Sequence, residues 1–272
     1  MALVINTNMA AMNAARILDG TSRDQSTTME RLTSGLRINR AADDAAGMAV
    51  TIGMTTQIMG TEMAIRNAND GASLIQTVDG ASEEVVGMLQ RMRELSIQSM
   101  TGTYSNENRG QMDAEFQQLA LEIRRVASTV KFNEIPLMNA SASTVQLHVG
   151  WETESTNKIM ISLVNFASLA ALSQAISTAS KASIAISVID GNLASLKTEK
   201  AKWGALQNRL SYTVSNLANI NENLNAARSR IQDADYAKET ANLARVQVLQ
   251  QAGMTMLGQS NQLSQNVLQL LQ

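Results

Sequence analysis

The chain has 272 residues, a formal net charge of -2, a pI near 5.6, no cysteine, one proline and only 3% aromatic residues. This charge balance gives no reason to expect nucleic-acid binding, and the missing cysteine excludes both a disulfide framework and a thiolate metal site. Large rounded cores draw more heavily on Phe, Tyr and Trp, so the composition points to a long, helical, core-poor molecule.

In chain order, MALVINTNMAAMNAA reaches Arg16 before its first charged side chain. It lacks the basic n-region, continuous apolar run and cleavage site of a secretory signal peptide. Ser34 to Asp44 then mixes charge with glycine, and Asp43 and Asp44 lie where acidic groups favour a helix start. From about Ala45 to Met100 one helix of roughly 80 Å is predicted at 1.5 Å per residue. Its seam is Leu74, Val78, Ala81, Val85, Met88, Met92 and Leu95, a four-three spacing of coiled-coil type. A second line through Ile75, Val86 and Leu89 widens the stripe. Gly53, Gly60, Gly71 and Gly80 each cost about 1 kcal/mol relative to Ala inside a helix, which close helix contacts would explain.

Thr101-Gly102-Thr103 breaks the helix, and Met112, Phe116, Leu119, Ile123, Val126 and Val130 mark the next one. The period then changes. Between Phe132 and Ala167, alternating Val145 to Val149 and Ile159 to Leu163 flank the turn-like Gly150 to Asn157, which reads as a β-hairpin. Helical spacing returns near Ser173 and runs through Leu206, Leu210, Val214, Leu217, Ile220, Leu224 and Ile231. Gln232 to Asp235 is a break, with Asp235 placed to cap a final helix. The fold class is therefore mainly α: a long antiparallel coiled-coil helical bundle with a small β-hairpin insertion and paired terminal helices.

From Val246 to Gln272 there is no Asp, Glu, Lys or Arg, yet Val246, Leu249, Met256, Leu263, Val267 and Leu270 keep a helical beat. A helix facing water normally carries charge opposite its apolar stripe, whereas this one carries amides, hydroxyls and glycine. A membrane span needs about 20 predominantly apolar residues, and Gln250, Gln251, Gln259, Asn261, Gln262, Gln265 and Asn266 interrupt any such run. Protein is the better cover. Ordering about 27 residues costs about 1–2 kcal/mol each in backbone entropy. About ten large apolar side chains return ~1.5–3 kcal/mol each only when fully buried. The expectation is disorder in the monomer and a helix in an assembly.

The inventory offers no catalytic constellation. His148 is the only histidine and lies in the strand-like run. Asp43-Asp44 and Glu83-Glu84 are adjacent pairs whose side chains diverge on a helix, and read as caps or solvated faces. No Gly-rich strand-to-helix loop is available for a nucleotide phosphate. Arg124-Arg125 and Lys197 to Lys202 lack aromatic platforms apart from Trp203. The expectation is no enzyme, no cofactor and no metal. Abundant methionine either fills gaps between helices or forms an adaptable binding surface, the first being the more economical. Trp151 and Trp203 read as packing anchors.

Four blocks carry a specific resemblance: MALVINTNMAAMNAARIL, ERLTSGLRINRAADDAAGMAV, RNANDGASLIQTVDGA, and SRIQDADYAKETANLARVQVLQQAGMTMLGQSNQLSQNVLQLL. In this order they resemble the terminal signatures of bacterial flagellins, in a core-only form without the variable outer domains many members insert after the hairpin. The resemblance implies a partition into 1–33 and 233–272 as the two halves of an inner core domain, with 34–44 as a spoke. The outer core domain would comprise helices in 45–131, a hairpin region in 132–172 and a returning helix in 173–232. It implies inner-tube packing by Leu3, Val4, Ile5, Leu249, Leu257, Leu263, Val267 and Leu270, and an uncharged face lining or adjoining the filament channel.

Arg37, Arg40, Asp43 and Asp44 would make spoke and subunit contacts, a role compatible with local capping. Gln90, Arg91, Glu94, Leu95 and Glu115 resemble the surface read by Toll-like receptor 5, although Leu95 belongs to the seam and packs first. By family habit Ser141, Ser143, Thr144, Ser155, Thr156, Ser177, Ser180 and Ser183 are O-glycosylation candidates. Where family members often carry glycine after Phe-Asn, Phe132-Asn133 is followed here by Glu134, implying a different turn. The implied function is a homopolymeric filament subunit for swimming motility, with sister flagellins as co-assembly partners. It would be exported without a cleaved signal peptide through a type III apparatus, with a chaperone on the C-terminus and growth under a cap protein. A hook–filament junction protein and an intracellular coiled-coil scaffold are the alternatives.

Overall fold

The structure is a computed structural model that describes residues 8–139 and 144–269, with 263–269 described as backbone alone. Among these residues are five α-helices: α1 (Met9–Ser34), α2 (Ala45–Met100), α3 (Asn106–Thr129), α4 (Ala179–Gln232) and α5 (Tyr236–Gln269). Two antiparallel pairs accompany them, β1 (Lys131–Phe132) with β2 (Ile135–Pro136) and β3 (Thr144–His148) with β4 (Lys158–Ser162). The contacts divide into one unit of Met1–Thr56 with Asn223–Gln272 and a second of Gln57–Glu222. This division falls within α2 and α4.

In the second unit, α2 runs antiparallel to α3 and α4. Arg91 pairs with Glu115 of α3 at 2.9 Å, Arg93 pairs with Asp190 of α4 at 2.6 Å, and Lys200 reaches Asp79 and Glu83. The buried line on α2 passes through Ala64, Ala68, Ile75, Val78, Ser82, Val85, Leu89, Met92, Ser96 and Ser99. It keeps the expected heptad beat but is centred about one residue away from the predicted seam. Leu74 and Leu95 are buried as expected, while Ala81 and Met88 are only half-buried. The apolar pattern missed Ser82, Ser96 and Ser99 because a helical serine can return its proton to a carbonyl one turn back. Ser82 donates to Asp79 O at 2.7 Å and Ser96 to Met92 O at 2.7 Å.

The same displacement occurs on α3, where Phe116, Ala120, Ile123 and Ala127 are buried and Leu119 and Val126 lie at the edge. On α4 the deepest positions recur every seventh residue from Ala182 through Ile189, Leu196, Trp203 and Leu210 to Leu217. Trp203 is a packing anchor whose ring nitrogen donates to Ser162 O at 3.0 Å.

The β3–β4 hairpin follows the alternation predicted for it, with Ile159 and Ile161 buried and Met160 exposed. It also corrects the account of the α2 glycines. A Cβ at Gly60 would lie 2.7 Å from Trp151 Cβ, and one at Gly71 would lie 2.0 Å from Leu147 Cδ1. The close neighbour at both is the hairpin and not another helix, whereas a Cβ at Gly53 or Gly80 meets nothing within 4 Å. Asn133 and Glu134 form the two-residue turn between β1 and β2 with φ of 47° and 67°, as a mirror-image hairpin turn requires.

α4 begins at Ala179, later than the expected Ser173. The preceding backbone is bonded to α3 side chains: Ile176 N–H donates to Asp113 at 2.6 Å, and Gln117 and Arg124 donate to the carbonyls of Gln174 and Leu172. Those tertiary bonds hold it in short 3-10 turns.

Candidate assembly surface

α1 and α5 pair antiparallel, and polar clamps at each end set their register. The Asn8 side chain accepts from Ala11 N–H at 3.0 Å, as an N-cap should, and donates to Ser260 O at 3.2 Å. At the other end Tyr236 O–H donates to Leu32 O at 2.6 Å, and Arg31 pairs with the buried Glu239 carboxylate at 3.4 Å. Asp235 Oδ1 accepts from Ala237 N–H at 3.0 Å, making it the cap predicted for α5.

Between the clamps the contact includes small and hydroxyl residues beside Leu18 and the buried Val246. A Cβ at Gly253 would meet Leu18 at 3.4 Å, and the buried Thr21 and Thr28 return their hydroxyls to Ile17 O and Asp24 O. Most of the large apolar side chains are exposed. Met9 is 68% exposed, Leu249 49% and Met256 68%, and Met12, Ile17, Met29, Val248 and Met254 are exposed with them. Among the described residues of this unit, Ile38 and Val246 are the only hydrophobic side chains that are buried. A groove of about 540 Å³ runs along the pair, lined by residues that include Ala14, Ile17, Leu249, Ala252 and Met256. A helix pair that exposes this much apolar surface has the character of an interface.

The bacterial flagellin N-terminal helical region matches residues 5–143, and the bacterial flagellin C-terminal helical region matches residues 186–271. The flagellin of Halalkalibacterium halodurans is 44% identical over 271 residues, covering 99% of this chain and 100% of that protein. The chain belongs to the bacterial flagellin family. The flagellar filament 33 kDa core protein of Treponema phagedenis is 39% identical, with 99% of this chain and 100% of that protein covered. Flagellin B of Vibrio cholerae, at 30% identity, needs an alignment of 375 positions to cover 100% of both, so this flagellin is a short, core-only form. The crystal structure of Bacillus cereus flagellin has the same fold, with a TM-score of 0.51, 24% identity and coverage of 56% of this chain and 88% of that one. This flagellin is a structural subunit of the flagellar filament.

Of the flagellin's expected inner-tube residues, Leu249 lies exposed beside the groove and Leu257 is half-buried on α5. Leu263 and Val267 fall on the helical backbone of α5, with side chains outside the described set, and Leu3, Val4, Ile5 and Leu270 lie outside the described residues. The reading by apolar period did not single out Asn8, Arg31, Tyr236 or Glu239. An asparagine just before a helical pattern was the available signal for the first.

The spoke residues all bond within the chain. Gly35 ends α1 at φ 72°, where a side chain would be strained, and Leu36 bridges Asp233. Arg37 donates its guanidinium to Ile231 O, and Arg40 pairs with Glu30 at 2.9 Å. Asp43 accepts from the N–H groups of Asn39 and Arg40 at 3.0 and 2.9 Å, and Asp44 caps α2 by accepting from Gly47 N–H at 2.9 Å. The backbone donor of Arg40, and then that of Asn39, hold the Asp43 carboxyl below its ordinary range.

On α2 and α3, Arg91 bridges Glu94 at 3.1 Å and Glu115 at 2.9 Å, with Gln90 exposed beside them. Leu95, expected as a central member of that surface, is 2% exposed and packs in the core, because the seam claims it. Thr144, Ser155, Thr156, Ser180 and Ser183 are exposed and Ser177 is half-buried, while Ser141 and Ser143 lie outside the described residues. Among the described residues no His, Cys, Asp and Glu group is placed to hold a metal, and no helix is long and apolar enough to cross a membrane.

Proposed function

We propose that the outward face of the α1/α5 pair is the polymerisation surface of this filament subunit, buried against neighbouring copies of the chain. The observation that carries this reading is the exposure of Met9, Met12, Ile17, Met29, Val248, Leu249, Met254 and Met256, while buried Thr21 and Thr28 with half-buried Gly253 lie among the residues at the helix contact. The ends are proposed to be largely disordered in the free subunit and to fold as they bind, so that contacts with several neighbours offset the ordering entropy. The uncharged amide face of α5 would line or adjoin the channel. Lysines placed there with no change in filament growth would count against that role.

Seeding purified chain onto filament fragments and imaging the products tests the assignment, with a chain lacking residues 246–272 as comparison. Long filaments from the full chain and none from the truncated one are expected, and normal filaments from the truncated chain would sink the assignment. Circular dichroism should show helix gained on polymerisation.

The same reading extends to partners. The subunit is proposed to leave the cell through a type III apparatus without a cleaved signal peptide, to be held at its C-terminus by a chaperone, and to add beneath a cap beyond hook-junction proteins. Sister flagellins are proposed to co-assemble where present. The Arg91–Glu94–Glu115 cluster with Gln90 is proposed as the surface that Toll-like receptor 5 meets on shed monomer, and Arg37, Arg40, Asp43 and Asp44 as spoke contacts between subunits. The exposed hydroxyls of Thr144, Ser155, Thr156, Ser180 and Ser183 are proposed glycan acceptors, which intact-mass measurement of filaments from the native cell would test.

A further inference from the structure

We propose that the methionines of the α1/α5 face are an oxidation-sensitive assembly switch: hydrogen peroxide converts them to sulfoxides in unassembled subunits and so blocks their addition to a filament. This rests on the polymerisation role assigned to that face. The chain holds 16 methionines and no cysteine, so no thiol is present to react first. Their placement is not uniform. On α1 and α5 Met9, Met12, Met29, Met254 and Met256 are 68%, 60%, 49%, 55% and 68% exposed, whereas the second unit has Met92 and Met138 fully buried in its core and Met59, Met63, Met100 and Met160 exposed outside the α1/α5 pair. The register that places Asn8 beside Ser260 brings Met9 and Met12 to the same end of the pair as Met254 and Met256. Met256 also lines the groove.

Methionine suits such a face because its unbranched thioether adapts to irregular neighbours. The same sulfur is its weakness. In the reaction the peroxide O–O bond breaks, one oxygen forms an S–O bond, the sulfide is oxidised to sulfoxide and the peroxide is reduced to water. The product is polar and chiral, and burying it in an apolar contact without a donor is unfavourable. Several such changes fall on the exposed surface of the α1/α5 pair, while the buried Met92 and Met138 leave the second unit's core unmodified.

The test treats monomer with hydrogen peroxide, removes the peroxide and follows elongation from untreated seeds. Oxidised chain should elongate at least about tenfold more slowly, a factor of ten in an equilibrium corresponding to only ~1.4 kcal/mol. Methionine sulfoxide reductases of both epimer specificities should restore it. A variant carrying M9L, M12L, M29L, M254L and M256L, near-isosteric but not oxidisable, should keep its elongation rate through the same treatment. Peptide mass mapping should find those five methionines oxidised in monomer and protected in filaments, with Met92 and Met138 protected in both. Normal elongation of chain bearing the five sulfoxides would overturn the proposal, as would equal inhibition of the leucine variant. Should that variant fail to elongate untreated, the map decides, and equal oxidation of the five sites in monomer and filament overturns the switch. Untreated wild-type chain that never elongates would overturn the assembly reading itself.

Discussion

Glu134 occupies a left-handed position, φ 67°, in a two-residue turn where glycine carries no steric penalty. Glu134→Gly should therefore raise stability by about 1 kcal/mol, seen as a higher urea midpoint; an unchanged or lower midpoint would contradict the strain. The helix glycines divide by what lies over them. Gly60→Ala should destabilise by about 1–3 kcal/mol, because its Cβ would meet the Trp151 backbone as well as its Cβ. Gly80→Ala, in open space, should gain ~0.5–1 kcal/mol by the same measurement.

Asp43 offers a pH test. Its pKa is lowered from the ordinary 3.8 by two backbone donors, so its stabilising effect is complete above that value and fades as pH falls through the lowered one. Wild type and Asp43→Ala should differ in stability at neutral pH and converge below pH 3.8. At this scale the Glu134 departure was visible in the sequence. The hairpin covering Gly60 and Gly71 was not, because a glycine in a helix does not say which element approaches it.

The helices were the most legible elements, since their breaks coincide with strong local signals: Thr101 to Ser105, and Asp235 as a cap. The long seam was legible in period but not in phase. Apolar residues mark the sides of the stripe on α2, while serines occupy part of its centre, and no local rule separates a buried serine from a solvated one. Two serines make the point testable. Ser96 bonds back within its own helix, whereas Ser99 donates to Ile176 O, on the segment leading into α4, at 2.6 Å. Ser99→Ala should cost about 1–3 kcal/mol by leaving a buried carbonyl unpartnered, and Ser96→Ala should stay within ~0.5 kcal/mol of wild type. Equal losses in denaturant titrations would refute the distinction. The start of α4 moved from the expected Ser173 to Ala179 for a related reason: Asp113, Gln117 and Arg124 take up backbone groups a helix would otherwise use.

For the whole molecule, the two units place folding and assembly on different residues. The second unit holds an extended internal core of large apolar side chains, and the α1/α5 unit buries only Ile38 and Val246 among its described hydrophobic residues. Leu249→Lys should therefore leave the main thermal transition of the soluble chain unchanged while reducing seeded elongation by at least about tenfold. A lowered transition with normal elongation would reverse the assignment.

By itself the sequence determined the helical class, the hairpin, the uncharged ends and the need for partners, because period, turn chemistry and missing charge are local properties that survive without coordinates. The tertiary structure alone decided which side of each stripe is deepest, that the hairpin covers Gly60 and Gly71, and that α1 and α5 bury Thr21, Thr28 and Val246 while most of their large apolar residues stay exposed. Those outcomes depend on contacts between residues far apart in the chain, such as Asn8 with Ser260 and Arg31 with Glu239. No helical period records which face the distant partner will cover.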